Sequence, residues 1–169
     1  VVTSGGGLMQ MVETLYPICR SITGDGVRRT LEIIGNWLPL AVSEVPSGTQ
    51  AFVWTVPDEW NVREAWIEDT AGRRLVDFCD SNLHVLNYSM PVDAELDRAE
   101  LDEHLYSLPD EPDWIPYRTS YYAEQWGFCV PHRLRESLSD GPYRVRIDAE
   151  LTPGALTYAE CLIPGELES

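Results

Sequence analysis

Residues 143–151 read YRVRIDAEL, and this stretch decides the fold class. Its apolar and charged side chains alternate without a break: Tyr143, Val145, Ile147, Ala149 and Leu151 against Arg144, Arg146, Asp148 and Glu150. Strict alternation is typical of a strand with one face buried. The turn sequence TPG at 152–154 predicts a hairpin to residues 155–163, which are apolar on both faces and are predicted to form an interior strand.

Two helices and a short strand are predicted before this sheet. The apolar residues of the first helix recur at helical spacing: Leu8, Met11, Val12 and Leu15. Those of the second do the same: Val27, Leu31, Ile34 and Leu38. Asp25 is a candidate N-cap for the second helix and Pro39 a stop. Residues 40–45 then predict a short strand.

From residue 49 onward, strand patterns predominate. Residues 52–56, FVWTV, form an apolar run that predicts a buried strand. Residues 62–68 and 74–78 flank the turn sequence DTAG and predict a hairpin, and residues 83–88 predict another strand. A helix is predicted near residues 93–105, with Asp93 as its cap and three apolar residues at helical spacing: Leu101, Leu105 and Leu108.

The order of these elements predicts an α/β (mixed α+β) fold with an insertion. Residues 1–48 and 152–169 are predicted to be parts of one α/β layer. Residues 49–151 are predicted to be a β-rich domain inserted into it.

The charge of the chain argues against two classes of partner. It has 28 acidic residues against 12 basic ones, all arginine, and a net charge of −16. Such a surface repels phosphates and anionic lipids, so no nucleic-acid or membrane partner is predicted.

The four cysteines lie far apart without a CxxC pair, which predicts buried free thiols, with two disulfides as the alternative. Together with the lack of a long apolar run or a leader-like N-terminus, this predicts a cytoplasmic protein.

The candidate binding site is the aromatic loop, defined as residues 112–129, PDWIPYRTSYYAEQWGFC. Pro112 and Pro116 disfavour regular structure there. The rings either hold the loop onto a core or line a recognition surface. As a site, the loop would bind a ligand through four residues: Arg118, Tyr121, Tyr122 and Trp126. The guanidinium would pair with a substrate carboxylate while the rings exclude water. Alternatively, Arg118 pairs with an acid of the chain, and the rings belong to the core; the candidate acids are Glu111, Asp113 and Glu124.

The residues themselves predict no catalytic site and no metal site. The histidines are His84, His104 and His132, and no HExxH motif is present. His84 has apolar neighbours and is predicted to be a structural, hydrogen-bonded residue. Glu100 and His104 could share a helix face, but a catalytic zinc ion needs three protein ligands. No catalytic residue, metal ligand or cofactor of this chain is therefore predicted.

Five segments, taken in order, resemble one known family. They are LYPICRSITGDGVRRTLEII (15–34), EVPSGTQAFVWTVPDEWNVREAWI (44–67), SNLHVLNYSMPV (81–92), LPDEPDWIPYRTSYYAEQWGFC (108–129) and LTYAECLIPGE (156–166). Together they resemble aminopeptidase-like proteins associated with polysaccharide biosynthesis, which are related to the di-zinc aminopeptidases. The resemblance implies an α/β zinc-exopeptidase domain interrupted by a smaller domain of unknown function, with zinc bound by the full-length protein.

The chain departs from the family pattern at three positions. Val53 stands where the family usually has Asp, Tyr106 where it has His, and Ala159 where it has Gly. In the family, the PGE stretch is followed by a His-containing HPS segment and an Asn-Asp pair that begin the zinc site. This chain ends at Ser169, before those segments, so no zinc ligand of the family falls on one of its residues.

Three interpretations of function follow. The first is the N-terminal portion of a zinc aminopeptidase-like hydrolase, inactive alone, whose partner is the remainder of that domain and whose substrate is small and peptide-like. The second is a module that binds a peptide or glycan through the aromatic loop. The third is a structural subunit that completes its sheet with another chain.

Overall fold

The computed structural model describes residues 5–165 of the chain, which forms two compact units. The first unit is Val1–Glu59 with Thr152–Ser169, and the second unit is Trp60–Leu151. In chain order the elements are α1 (Gly5–Leu15), α2 (Asp25–Gly35), β1 (Ala41–Pro46), β2 (Gln50–Ala51), β3 (Trp54–Thr55), β4 (Glu59–Glu68), β5 (Arg74–Asp77), a 3-10 helix (Asn82–His84), β6 (Val92–Leu96), α3 (Arg98–Asp102), β7 (Leu105–Tyr106), β8 (Phe128–Cys129), α4 (His132–Ser137), β9 (Tyr143–Thr152) and β10 (Ala155–Glu160).

The first unit contains both predicted N-terminal helices and a sheet of two strands. β1 and β10 pair antiparallel, with Ala41 opposite Glu160 and Pro46 opposite Ala155. The N-cap of α2 is Gly24 rather than Asp25, because the backbone there has φ 85°, a left-handed conformation that favours glycine. Gly26 follows, and a Cβ at this position would lie 1.9 Å from the carbonyl oxygen of Cys19.

The prediction of a buried strand at residues 52–56 is wrong. The chain makes a small hairpin in which Ala51 pairs with Trp54, and Phe52 and Val53 form its tip. Both tip residues are fully exposed, and Phe52 has a positive φ of 56°. A short apolar run has no periodicity that distinguishes a buried strand from a turn, so the sequence alone misleads here.

The second unit is built on a four-stranded sheet in the order β5-β4-β9-β6. The strand predicted from the alternation of residues 143–151 is confirmed: Tyr143, Val145, Ile147 and Ala149 of β9 are buried. β4 contributes Ala65, Trp66 and Ile67 to the same core. β4 and β5 form the predicted hairpin, with Trp66 opposite Asp77.

The predicted hairpin between residues 143–151 and 155–163 is wrong. β9 pairs with β6 in the second unit, whereas β10 pairs with β1 in the first, so the turn at 152–154 joins two different sheets. β10 ends at Glu160, and Leu162 and Ile163 are exposed rather than interior. The first of the two strands has its partner about 50 residues earlier, a long-range pairing that local turn residues do not reveal.

A helix does lie within the predicted range 93–105, but its predicted start at Asp93 is wrong. Residues 92–96 form β6, antiparallel to β9, with Val92 opposite Ile147. α3 begins only after Asp97, whose side chain accepts from the backbone N–H of Glu100, while the Glu100 side chain accepts from the Asp97 backbone. This Asp-x-x-Glu capping box marks the true start of the helix.

Residues 83–88 form no regular strand. A 3-10 helix occupies Asn82–His84, and the segment after it makes two isolated bridges, Val85 to Phe128 and Asn87 to Thr119. The segment is nevertheless buried, which explains its strand-like composition. The prediction of buried cysteines holds for Cys129, whereas Cys79 is exposed; Cys19 and Cys161 are half-buried, and all four are free.

The chain is thus a mixed α and β structure with several small sheets. The two units divide at residues 59/60 and 151/152, whereas the insertion predicted at 49–151 stays a prediction. Within residues 5–165 no helix combines the length and apolarity that crossing a membrane requires.

Asp102, at the end of α3, should give the second unit part of its acid sensitivity. Arg135 holds this carboxylate through two hydrogen bonds of 2.8 and 2.7 Å, and Arg98 adds one of 3.1 Å. These arginines lower the pKa of Asp102 to about 2. A lowered pKa contributes stability above the unfolded-state value, 3.8, and that contribution is lost as the pH falls through about 2.

We expect Asp102→Asn to flatten the loss of stability between pH 4 and pH 2. Because the side chain is 38% exposed, solvent screening reduces the contribution to about 1 kcal/mol. Urea unfolding at pH 7, 4 and 2.5 measures it, with Asp110→Asn at an exposed turn as the control. An unchanged pH profile in Asp102→Asn would contradict the assignment.

Candidate functional site

The backbone of the aromatic loop is fixed to the second unit. Asn87 N donates to Arg118 O at 2.9 Å, and Ser120 N donates to Asn87 O at 2.9 Å. Farther along, Leu86 N donates to Gly127 O at 3.0 Å. The loop ends in β8, which pairs parallel with β7. These main-chain bonds hold the loop in place, so its rings need not all serve to anchor it.

Arg118 is exposed and lies over an aromatic ring. The guanidinium carbon is 5.3 Å from the ring centroid of Tyr106, within cation–π range. Among residues 5–165, no carboxylate lies within ion-pair distance of Arg118, so the alternative in which an acid of the chain neutralises it is not found. Asp113, one of the candidate acids, instead pairs with Arg133 at 2.6 Å.

The ring of Tyr106 is itself held firmly. It lies against Gly127, where an added Cβ would be 2.7 Å from the ring and 2.8 Å from the carbonyl oxygen of His104. Only glycine allows this close approach. Cys129 is buried beside Arg118; burial raises the pKa of its thiol to about 12, and the arginine charge lowers it in part. Arg118 therefore sits on a rigid base formed by β7 and β8.

The three predicted ring residues have different environments. Tyr121 is 81% exposed. Tyr122 contacts Tyr88 edge-on at 4.7 Å, and burial, with the nearby Tyr117 hydroxyl, raises the pKa of Tyr122. Trp126 is stacked on His104 at 3.6 Å and lies edge-on to Phe128. Trp126 is thus half-buried, Tyr122 contacts Tyr88 but is 38% exposed, and Tyr121 is open to solvent.

Sequence reasoning missed two further exposed rings, Trp114 at 62% and Tyr117 at 67%. It also missed the role of Tyr106, although the resemblance had singled out that position as a departure from the family. The segment around the loop contains three residues in the left-handed region, Tyr88, Tyr121 and Tyr122, with φ of 66°, 51° and 69°. Such conformations cost about 1–3 kcal/mol each and tend to cluster at functional sites.

The first unit contains a groove of about 460 Å³. Its walls are largely apolar and come from α2, the segment after it and β1; the lining includes Leu31, Leu38, Pro39, Leu40 and Val42. Charged residues, Arg28, Glu32 and Glu44, stand along it.

The arginine of this groove already has partners. Arg28 donates to both carboxylate oxygens of Glu59 at 2.6 and 2.7 Å, and to Glu44 at 3.1 Å. The hydrogen bond with Glu59 is the main cause of the raised pKa of Arg28. Glu44 also accepts from Thr157 at 3.1 Å, which links α2 to both strands of the sheet. Arg28 is therefore structural.

The histidines have structural partners. His84 is buried, with its Nδ1 2.8 Å from the carbonyl oxygen of Cys129, as its sequence context predicted. His132 Nδ1 lies 2.9 Å from Ser107 Oγ. Glu100 and His104 do not share a helix face, because α3 ends at Asp102. Across the described part of the chain, no three His, Cys, Asp or Glu side chains are grouped so that they could hold a metal ion.

Comparisons with known proteins agree on one family. A family model described as "Domain of unknown function (DUF2172)" matches residues 59–150. A protein of Clostridium acetobutylicum, provisionally named a polysaccharide biosynthesis protein with an aminopeptidase-like domain, is 47% identical over 165 residues; the match covers 98% of this chain and 38% of the relative. A crystal structure from the same organism, provisionally described as a peptidase, is 48% identical with a TM-score of 0.91 and covers 97% of this chain and 39% of its own.

Proposed function

This chain belongs to the family defined by the domain of unknown function DUF2172, and from this premise we propose that it is the N-terminal portion of an aminopeptidase-like hydrolase. It spans less than two fifths of the length of the relatives reported above. In the proposal, residues 1–48 and 152–169 belong to the hydrolase domain and residues 49–151 are inserted into it. The partner is the remainder of that domain, on the same or a complementing chain.

The exposed apolar surface of the first unit is the observation that carries the proposal. The exposed large side chains include Leu8, Met9, Val12, Tyr16, Leu38, Val42 and Tyr158. Among its described residues, the first unit has two sheets of two strands each, β1-β10 and β2-β3, and such sheets are marginal unless further strands or helices cover them. Exposed apolar surface of this kind marks a site of association. The remainder of an α/β domain would supply the missing cover.

The family resemblance implies zinc, and the residues described here do not fit a zinc site. No group of three potential ligands is present in residues 5–165, and His84 and His104 each engage a backbone carbonyl. In the proposal, the ligands belong to the remainder of the protein. A small peptide-like substrate and a cytoplasmic location are also part of the proposal, and the net charge of −16 supports the expectation of no nucleic-acid or membrane partner.

The chain alone is expected to retain no stoichiometric zinc and to hydrolyse no aminoacyl substrate. A catalytic zinc ion needs three protein ligands, and isolated Glu and His residues do not hold one. Elemental analysis after dialysis and an aminoacyl-p-nitroanilide assay check both expectations. About one zinc ion per chain after dialysis would contradict the proposal and make His84 and His104 the first suspects.

A further inference from the structure

We propose that Arg118, supported by Tyr106 and flanked in the sequence by the exposed Tyr117 and Tyr121, binds the carboxylate of a small ligand with an apolar body. The site lies within the second unit. A test of ligand binding at this site therefore does not depend on whether the first unit is part of a hydrolase.

Arg118 differs from the other arginines in its contacts. Ten of the 12 form ion pairs with carboxylates: Arg28, Arg29, Arg63, Arg73, Arg74, Arg98, Arg133, Arg135, Arg144 and Arg146. Arg20 donates to the carbonyl oxygens of Leu15 and Ile18. For Arg118, the contact found in the described residues is the Tyr106 ring. In a chain with 28 acids, a guanidinium without a carboxylate partner is the exception.

The geometry of the Arg118 guanidinium suits a carboxylate. The donors of a guanidinium lie in its plane, so the Tyr106 ring can contact its face without using them. Two parallel N–H groups then match the two oxygens of a carboxylate. Neutral amides and hydroxyls lack the charge that makes such a pair strong.

The site around Arg118 is formed in the absence of a ligand. The backbone bonds of Asn87 fix the segment around Arg118, and Gly127 fixes the ring beneath it. Preorganised groups lose little conformational entropy when a ligand binds. A site of this kind can bind a small ligand with few contacts.

The exposed tyrosines near Arg118 in the sequence indicate the chemistry of the rest of the ligand. Tyr117 and Tyr121 lie within three residues of Arg118 and are 67% and 81% exposed. Exposed tyrosines offer an apolar face with a polar edge, which suits an aromatic or aliphatic group or the face of a sugar ring. Two sources of a carboxylate fit this chemistry: the C-terminus of a short peptide and a uronic acid. The net charge of −16 repels anions at long range, so binding depends on these short-range contacts.

Calorimetric titration of the 169-residue chain tests the proposal with three probes. They are N-acetyl-phenylalanine, its carboxamide N-acetyl-phenylalaninamide, and glucuronic acid. We expect saturable binding of at least one of the two carboxylates. If the ligand is a peptide, N-acetyl-phenylalaninamide should bind about tenfold more weakly than N-acetyl-phenylalanine. Tighter binding of N-acetyl-phenylalanine indicates a peptide ligand, and tighter binding of glucuronic acid a glycan ligand.

Variants of the chain show whether Arg118 is responsible. Arg118→Ala should weaken the bound carboxylate about tenfold or more while the melting temperature stays nearly unchanged, because the side chain is exposed. Arg118→Lys keeps the charge without the planar fork and should give an intermediate loss. Arg133→Ala is the matched control, since Arg133 is exposed and pairs with Asp113 of the same loop.

Three results would overturn the proposal. One is the absence of saturable binding by either carboxylate. Another is equal weakening by Arg118→Ala and Arg133→Ala. The third is a large fall in melting temperature in both Arg118→Ala and Arg118→Lys, which would make Arg118 an anchor of the loop rather than a ligand-binding residue.

Discussion

Phe128→Ala is expected to destabilise the second unit by about 3–5 kcal/mol, whereas Phe52→Ala should change stability by less than about 0.5 kcal/mol. Phe128, in β8, is 0% exposed and touches the edge of Trp126, while Phe52 is 100% exposed at a hairpin tip. Removing the buried ring leaves a cavity in addition to the lost transfer free energy. Removing the exposed ring loses almost no burial.

Urea unfolding followed by tryptophan fluorescence measures the effect of Phe128→Ala, because Trp60 and Trp66 are buried in the second unit and report its unfolding. Phe52 belongs to the first unit, so Phe52→Ala is followed through Trp54 of the same hairpin. Each variant is compared with the wild-type midpoint of its own unit. Similar shifts in the two variants would contradict the placement of either phenylalanine.

The local periodicity of apolar residues predicted several elements of the fold. The alternation of β9 and the helical stripes of α1 and α2 are properties of neighbouring residues, and the structure has all three elements where the sequence predicted them. The hairpin of β4 and β5 could also be predicted, because its two strands and the turn sequence between them are neighbours in the chain. A regular apolar pattern along one face of an element is visible in the sequence, although in α1 the residues of that face include the exposed Leu8 and Val12.

One error arose from a local signal that the prediction overlooked, and another arose from pairing between distant segments. Residues 92–96 alternate between apolar and acidic side chains as a strand does. The acids and the helical spacing of the leucines that follow led to a predicted helix that began too early and included these residues. The capping box at Asp97 and Glu100 was the local signal that marks the boundary. The partners of β9 and β10 are set by long-range pairing, which a turn sequence between them cannot specify.

The candidate site was predictable in part. Composition identified the aromatic loop and Arg118, and both remain the centre of the proposed site. The cation–π partner Tyr106 lies 12 residues earlier and meets Arg118 through the pairing of β7 with β8, which no local pattern reveals. The left-handed conformations of Tyr121 and Tyr122 were likewise unpredictable, because tyrosine rarely adopts them.

Under the proposed function, Val42→Asp is expected to abolish association of the chain with the remainder of the proposed hydrolase domain. Val42 lines the groove of the first unit and is 56% exposed, so the chain alone should tolerate the change. Covering the groove would bury an unpaired carboxylate, which costs several kcal/mol and weakens binding by about a hundredfold or more. Val53→Asp is the matched control, because Val53 is fully exposed at the hairpin tip, where the family usually has an acid.

Both variants can be tested with the part of the Clostridium acetobutylicum relative that this chain does not match, expressed as a separate polypeptide. Size-exclusion chromatography with light scattering should detect a one-to-one complex for the wild-type chain and for Val53→Asp, but not for Val42→Asp. A complex that forms equally well with Val42→Asp would show that the groove is not the contact surface.

Hydrolysis of an aminoacyl-p-nitroanilide by that pair of polypeptides tests whether this chain is part of an aminopeptidase-like hydrolase. We expect no hydrolysis by this chain alone, and hydrolysis, with bound zinc, by the complex of the two. Hydrolysis by the chain alone, or a stable complex that neither binds zinc nor hydrolyses the substrate, would contradict the assignment of this chain to an aminopeptidase-like hydrolase.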